Sequence, residues 1–174
     1  IIFGSSGQLG SSIKKYLSNS NFSVVDFNSS DGNLLNQKKI KNIFLKYQPS
    51  IIINTAAMTD VDKCEIRKKE CYDINANSLK FLSKCCLIND TLLIHFSTDY
   101  VFNSKKIFSF SEKNFPRPIN YYGKCKLIGE KNIINSGCNY LIFRISWLFS
   151  ENKNNFLNFF LKKIKKNKEI KISN

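Results

Sequence analysis

Short apolar runs alternate with longer amphipathic segments along the whole chain, and this alternation constrains the fold more than any other feature. "IIF", "FSVVDF", "SIIINTAA", "TLLIHFS" and "YLIFRIS" read as strands, the third entered from Pro49. The first helix is expected from about Gln8 to Leu17. The second lies on "NQKKIKNIFLKY", where Ile40, Ile43, Phe44 and Tyr47 share a face. A third runs from about Lys69 to Asn89, a fourth follows Pro116 and Pro118, and a last spans about Asn155 to Lys166. Residues 99–118 are expected to be irregular, and neither an internal repeat nor a linker is visible. Continuous apolar strands separated by helices imply parallel strands buried on both faces. Right-handed crossovers then give a doubly wound parallel sheet, an α/β fold in three layers, α/β/α. In that architecture ligands bind beyond the carboxyl ends of the strands.

Composition narrows the class. The 174 residues suffice for one domain, and 43% are hydrophobic, which argues against disorder. No apolar run approaches the roughly 20 residues of a membrane span. The chain opens without Met or the pattern of a signal peptide and stops at "IKISN", so an N-terminal fragment is expected. Six cysteines (Cys64, Cys71, Cys85, Cys86, Cys125, Cys138) form no CxxC pair, and His95 is the single histidine. Buried or neutral thiols in a reducing cytoplasm are expected, with no zinc site and no disulfide framework. The net charge of +14 admits nucleic-acid binding as a class. The excess is almost all Lys, however, and comes with abundant Asn and Ile, as an A- and T-rich genome would also produce. The cluster "LKKIKKNKEIK" at 161–171 reads as a helix end leading into a strand-like tail.

The polar oddities fall at the strand ends. "GSSGQLG" places Gly4, Gly7 and Gly10 between the first strand and its helix, where glycines let backbone N–H groups approach a pyrophosphate. Asp26 ends the second strand, where an acid can hydrogen-bond an adenosine ribose or simply cap a turn. Its charge favours NAD over NADP; Lys14 and Lys15 offer charge for a 2′-phosphate instead. Ala56 and Ala57 leave room for a cofactor, or for close packing. Ser97, Thr98 and Asp99 follow the fourth strand into the crevice. In "INYYGKCKLIGE" Tyr122 and Lys126 stand four apart and share a helix face, while Tyr121 pairs with Cys125 and Lys124 points elsewhere. A cation within about 4–6 Å lowers a tyrosine pKa from its usual ~10, so Tyr122 is expected to carry a proton with Lys126 tuning it.

Together, "GSSGQLG", "INTAAMTDVDKCE", "FSTDYVF", "PINYYGKCKLIGE" and "IFRISWLF" resemble the extended short-chain dehydrogenases/reductases, and within them the dTDP-4-dehydrorhamnose reductase family, from residue 1 to about 172. The resemblance implies a Rossmann-like NAD(P)-binding domain over 1–174, with the rest of the substrate domain beyond it. It implies catalytic Thr98, Tyr122 and Lys126. The NADPH or NADH cofactor would lie on Gly7, Gln8, Leu9, Asp26, Asn33, Leu34, Ala57, Met58, Thr59, Tyr122 and Lys126, with Gly4 and Gly10 of the glycine turn and Ala56 of the third strand end also in its site. The dTDP-sugar would lie on Ser97, Thr98, Asp99, Tyr122 and Trp147. The implied reaction is reduction of a C4 ketone, in the synthesis of dTDP-L-rhamnose for cell-surface polysaccharide. Four positions depart from the family pattern: Asn33 for Asp, Met58 for Tyr or His, Cys125 for a small hydroxyl residue and Ile145 for Thr. Some members carry Mg2+ at a dimer contact through a Glu on the first helix; Ser12 stands there, so no metal site is expected, although a homodimer of the full-length protein is compatible with the resemblance. Other readings are a sugar-nucleotide epimerase or dehydratase, and a non-catalytic NADP-binding subunit like the regulatory subunit of methionine adenosyltransferase. Neither a nucleic-acid nor a membrane partner is expected.

Overall fold

The computed structural model describes residues 1–103, 109–150 and 155–165. Five parallel strands form one sheet in the order β2-β1-β3-β4-β5: β1 (Ile2–Phe3), β2 (Asp26–Phe27), β3 (Ile51–Asn54), β4 (Leu92–Thr98) and β5 (Tyr140–Ile145). The chain moves from β1 to β2 at one edge, then back past β1 to β3, and onward to β5. Right-handed crossovers therefore put helix α1 (Gln8–Leu17) on one face and α2 (Gln37–Tyr47) on the other. Helices α5 (Ser78–Ile88) and α6 (Tyr121–Ile134) complete the α2 layer, α5 touching both neighbours. The direction changes between β1 and β3, which makes a crevice at their carboxyl ends.

The core lies between the sheet and this helix layer. Phe3, Ile52 and Leu93 from the strands meet Ile40, Ile43, Phe44, Leu79, Leu82 and Ile133 from the helices, all buried. Each such side chain contributes about 1.5–3 kcal/mol by leaving water, which holds the short strands in register. Tyr47 is partly exposed and meets Phe27 edge-on, with ring centroids 5.9 Å apart.

Two expected strands are shorter than their apolar runs. β1 offers only Ile2 and Phe3 as partners, so of "FSVVDF" only Asp26 and Phe27 join the ladder. β3 stops at Asn54 because Asn54 Oδ1 accepts from Ala56 N (3.1 Å), and Thr55 Oγ1 donates to Phe3 O (2.8 Å), turning the chain towards β1. The long third helix is three pieces run together: α4 (Lys68–Tyr72), a π-turn at Asp73–Asn77, and α5. A helix absent from the sequence reading, α3 (Val61–Ile66), precedes them, capped by Asp60, whose Oδ1 accepts from Lys63 N (3.0 Å). The last helix, α7 (Phe156–Ile164), starts at the Asn155 cap as expected; the strand-like tail after it lies outside the described residues. Among the described residues no helix is long and apolar enough to cross a membrane.

Candidate active site

The turn after β1 is built for a backbone–anion contact. Gly4 adopts φ +81, and a Cβ there would stand 2.6 Å from Ala56 N. At Gly10 a Cβ would strike Gly4 O and come within 2.7 Å of Thr55 Oγ1. Both positions need glycine for α1 to begin this close to β3. Helix α1 has no side-chain cap at Gly7, so the amides of Gln8, Leu9 and Gly10 face the crevice without an intrahelical acceptor. Gln8 Nε2 and Ser97 Oγ are buried there without a partner, which is how polar atoms meant for a bound molecule would stand. The residues present therefore fit a dinucleotide.

Two adjoining clefts receive most of the expected site residues. One, of 420 Å³, is lined by Gly7, Gln8, Leu9, Gly10, Ala57, Thr59, Ser97, Thr98, Asp99, Tyr122, Lys126, Ile145 and Trp147, among others. The other, of 270 Å³, is lined by Gly4, Gly7, Asn33, Leu34, Ala56 and Ala57 among others, with Asn33 Oδ1 accepting from Leu35 N (2.9 Å). Two expectations differ. Asp26 lines neither cleft; its carboxylate is held at 2.8 Å by Lys14 Nζ, and that hydrogen bond lowers its pKa. Met58 also lines neither, because its side chain packs against Cys64, Cys71, Tyr122 and Cys125.

Tyr122 and Lys126 reach the same cleft, one turn apart on α6, which Asn120 caps by accepting from Gly123 N (2.7 Å). Lys124 is exposed. Tyr122 is 7% exposed and edge-on to Tyr100 (5.8 Å between centroids), with the Thr98 hydroxyl beside its phenol. The expected tuning by Lys126 is not found. Burial pushes the phenol up to about 12, helped by the Cys64 thiol and the charge of Asp99, while the Thr98 hydroxyl opposes the shift. Lys126 Nζ instead lies 2.6 Å from Phe96 O and 3.1 Å from His95 Nε2. Burial lowers its pKa to about 8. The phenol is thus held in its protonated form at neutral pH, the form that can give a proton.

Thr98 Oγ1 donates to Asp99 Oδ1 (3.1 Å) and accepts from Tyr100 N (3.2 Å); Asp99 Oδ2 accepts from Ser146 Oγ (2.7 Å). Trp147, 70% exposed, stands at the mouth with φ +46, an uncommon conformation for a bulky residue. On the far side of Tyr122, Cys64, Cys71 and Cys125 form a buried wall; Cys64 and Cys125 are raised to about 12 by burial and by their thiol neighbours, so they stay neutral. All six cysteines are free thiols. Ser12 is exposed, its Oγ donating to Gln8 O (3.0 Å), and the described residues contain no cluster of three or more His, Cys, Asp or Glu able to hold a metal ion.

Sequence reasoning missed four supports of the site. Asn75 clamps the Met58 peptide, accepting from Met58 N (3.0 Å) and donating to Met58 O (2.8 Å). Tyr100 packs on Tyr122, and Asn54 and His95 lie under Lys126. A histidine inside the apolar run "LLIHFS" was the available signal: a polar group at a buried strand position needs a partner.

The family model for the RmlD substrate binding domain matches residues 1–174. The dTDP-4-dehydrorhamnose reductase of Aggregatibacter actinomycetemcomitans is 33% identical over 98% of this chain and 58% of its own length. The spore coat polysaccharide biosynthesis protein SpsK of Bacillus subtilis is 30% identical over 99% and 61%. Among solved structures, the dTDP-4-dehydrorhamnose reductase of Bacillus anthracis, in complex with NADP, superposes with a TM-score of 0.91 at 30% identity, over 95% of this chain and 59% of that one. The Bordetella bronchiseptica enzyme WbmG, at 15% identity and TM-score 0.88, shares the fold alone. The chain spans about three-fifths of the length of the relatives it matches. With its glycine turn, tyrosine–lysine helix and five-stranded parallel sheet in one Rossmann-like unit, the chain belongs to the dTDP-4-dehydrorhamnose reductase family.

Proposed function

We infer that the full-length protein is a cytoplasmic NAD(P)H-dependent reductase that converts the C4 ketone of dTDP-4-dehydro-6-deoxy-L-mannose to the alcohol of dTDP-L-rhamnose. The observation that carries this is the Tyr122 phenol beside Thr98, in one cleft with the amides of α1 and with Lys126. Gly4, Gly7, Gln8, Leu9 and Gly10 would hold the pyrophosphate; Asn33, Leu34, Ala56 and Ala57 the adenosine side; Lys126, with Thr59 in the same cleft, the nicotinamide side. A bound reduced nicotinamide supplies hydride to the ketone carbon. Tyr122 gives its proton to the oxygen that thereby gains charge, and a bound ketone oxygen draws the Thr98 hydroxyl from Asp99 to stabilise it. Asp26 would meet a ribose, and Lys14 a 2′-phosphate, once the ion pair between them opens. Ser97, Asp99 and Trp147 would meet the sugar nucleotide. A homodimer is compatible with the same role.

The test is an assay of the full-length protein with the dTDP-4-keto sugar and either NADPH or NADH. Sugar-dependent net oxidation of the cofactor, with the 4-hydroxy sugar as product, is expected. Conversion of sugar without net oxidation would point to an epimerase or dehydratase instead, and binding without conversion to a regulatory subunit.

A further inference from the structure

Lys126 ends a chain of three buried side chains. Asn54 and His95 are opposed residues of β3 and β4, each at most 1% exposed. The backbone fixes the far end: Ala56 N donates to Asn54 Oδ1 (3.1 Å), which leaves the amide nitrogen, a donor, 3.2 Å from His95 Nδ1. Nδ1 must then accept, and the single proton of a neutral ring falls on Nε2. Nε2 lies 3.1 Å from Lys126 Nζ, which also donates to Phe96 O at 2.6 Å. An Nε2–H opposite an ammonium sets donor against donor; opposite an amine it meets a lone pair. The other tautomer would set Nδ1–H against the Asn54 amide nitrogen. Turning that amide over would give up the bond from Ala56.

Building on the cofactor assignment above, we propose that Asn54 and His95 are positioning residues that keep the ring proton on Nε2, favour the neutral amine of Lys126 before a dinucleotide binds, and so couple dinucleotide binding to uptake of one proton from solvent by Lys126. Burial works in the same direction, lowering Lys126 to about 8 and His95 well below its ordinary value. The other titratable groups facing Lys126 are Tyr122 one turn before it, Cys71 from α4 and Glu130 one turn after it. Glu130 favours the ammonium, but its carboxylate is engaged by Arg144 of β5 through two bonds (3.0 and 2.7 Å). A bound dinucleotide adds phosphate charge and hydroxyl acceptors, and both favour the charged form.

Proton uptake is read from calorimetric titration of the full-length protein with NADPH in two buffers of different ionisation enthalpy. Close to one proton is expected at pH 9, and about a tenth of that at pH 7. Asn54→Asp puts a carboxylate oxygen against Nδ1, draws the ring proton there and leaves Nε2 to accept from the ammonium; uptake at pH 9 should fall by about fivefold or more. Undiminished uptake in that variant, or wild-type binding at pH 9 without uptake, would overturn the proposal. The nitrogen-15 resonances of the His95 ring, identified by their loss in His95→Gln, decide it without reliance on the aspartate variant. Nε2 should be the protonated nitrogen in the wild type, and a protonated Nδ1 would overturn the relay. Failure of NADPH to bind at all would sink the cofactor assignment, while the ring tautomer would still judge the relay.

Discussion

Lys126, 1% exposed, shows at residue scale what burying an ionisable group costs a fold. Its pKa is about 8 in the folded chain and near 10.5 when solvated, so between those values the unfolded chain binds more protons. Stability from this residue therefore rises as pH climbs through that window, and the penalty for burying the ammonium stands in full below about pH 8. A Lys126→Met variant lacks the titration. Its stability relative to wild type should be greatest near pH 7 and should decline by roughly 3 kcal/mol by pH 10.5, measured by chemical denaturation at each pH. A difference independent of pH would mean that Nζ is solvated in the folded state. The i, i+4 spacing of Tyr122 and Lys126 was legible in the sequence, because a helix puts such pairs on one face. Their electrostatics were not legible. Spacing cannot tell that the lysine turns towards β4 while the phenol meets Thr98 and a wall of thiols.

Among the elements, the turn between β1 and α1 is the part most tightly specified. A Cβ on Gly10 has no space between Gly4 O and Thr55 Oγ1. Gly10→Ala should therefore cost about 1–3 kcal/mol of stability as the turn shifts, and should weaken dinucleotide binding as the amides move. Unchanged melting temperature and affinity would show that the turn does not pack as described. Helix existence followed from apolar periodicity, and Asn155 marked a start that its side-chain cap confirms, whereas the Asn120 cap was not read. Strand extents were harder to read. Apolar content does not reveal that β1 provides two residues to pair with, or that the Asn54 and Thr55 side chains end β3. The π-turn at Asp73–Asn77 had no sequence signal of its own; it sets Asn75 against the Met58 peptide.

At the scale of the whole molecule, strand–helix alternation was enough to give the doubly wound sheet, and the crossover rule then put the glycine turn, Thr98 and Tyr122 at the same end. Which surfaces await other parts of a longer protein could not be read from the pattern: β5 is as apolar as a central strand, yet Leu141 and Phe143 are about half exposed at the sheet edge. The assembled cleft makes one central demand, that proton donation and dinucleotide binding rest on different groups. Removing the Tyr122 hydroxyl in the full-length protein tests this most directly, with NADPH affinity and turnover of the dTDP-4-keto sugar measured on the same samples. Tyr122→Phe should bind NADPH within a few-fold of wild type and turn over about 10²–10⁴-fold more slowly. Turnover within a few-fold of wild type would contradict the assignment of Tyr122 as the proton donor.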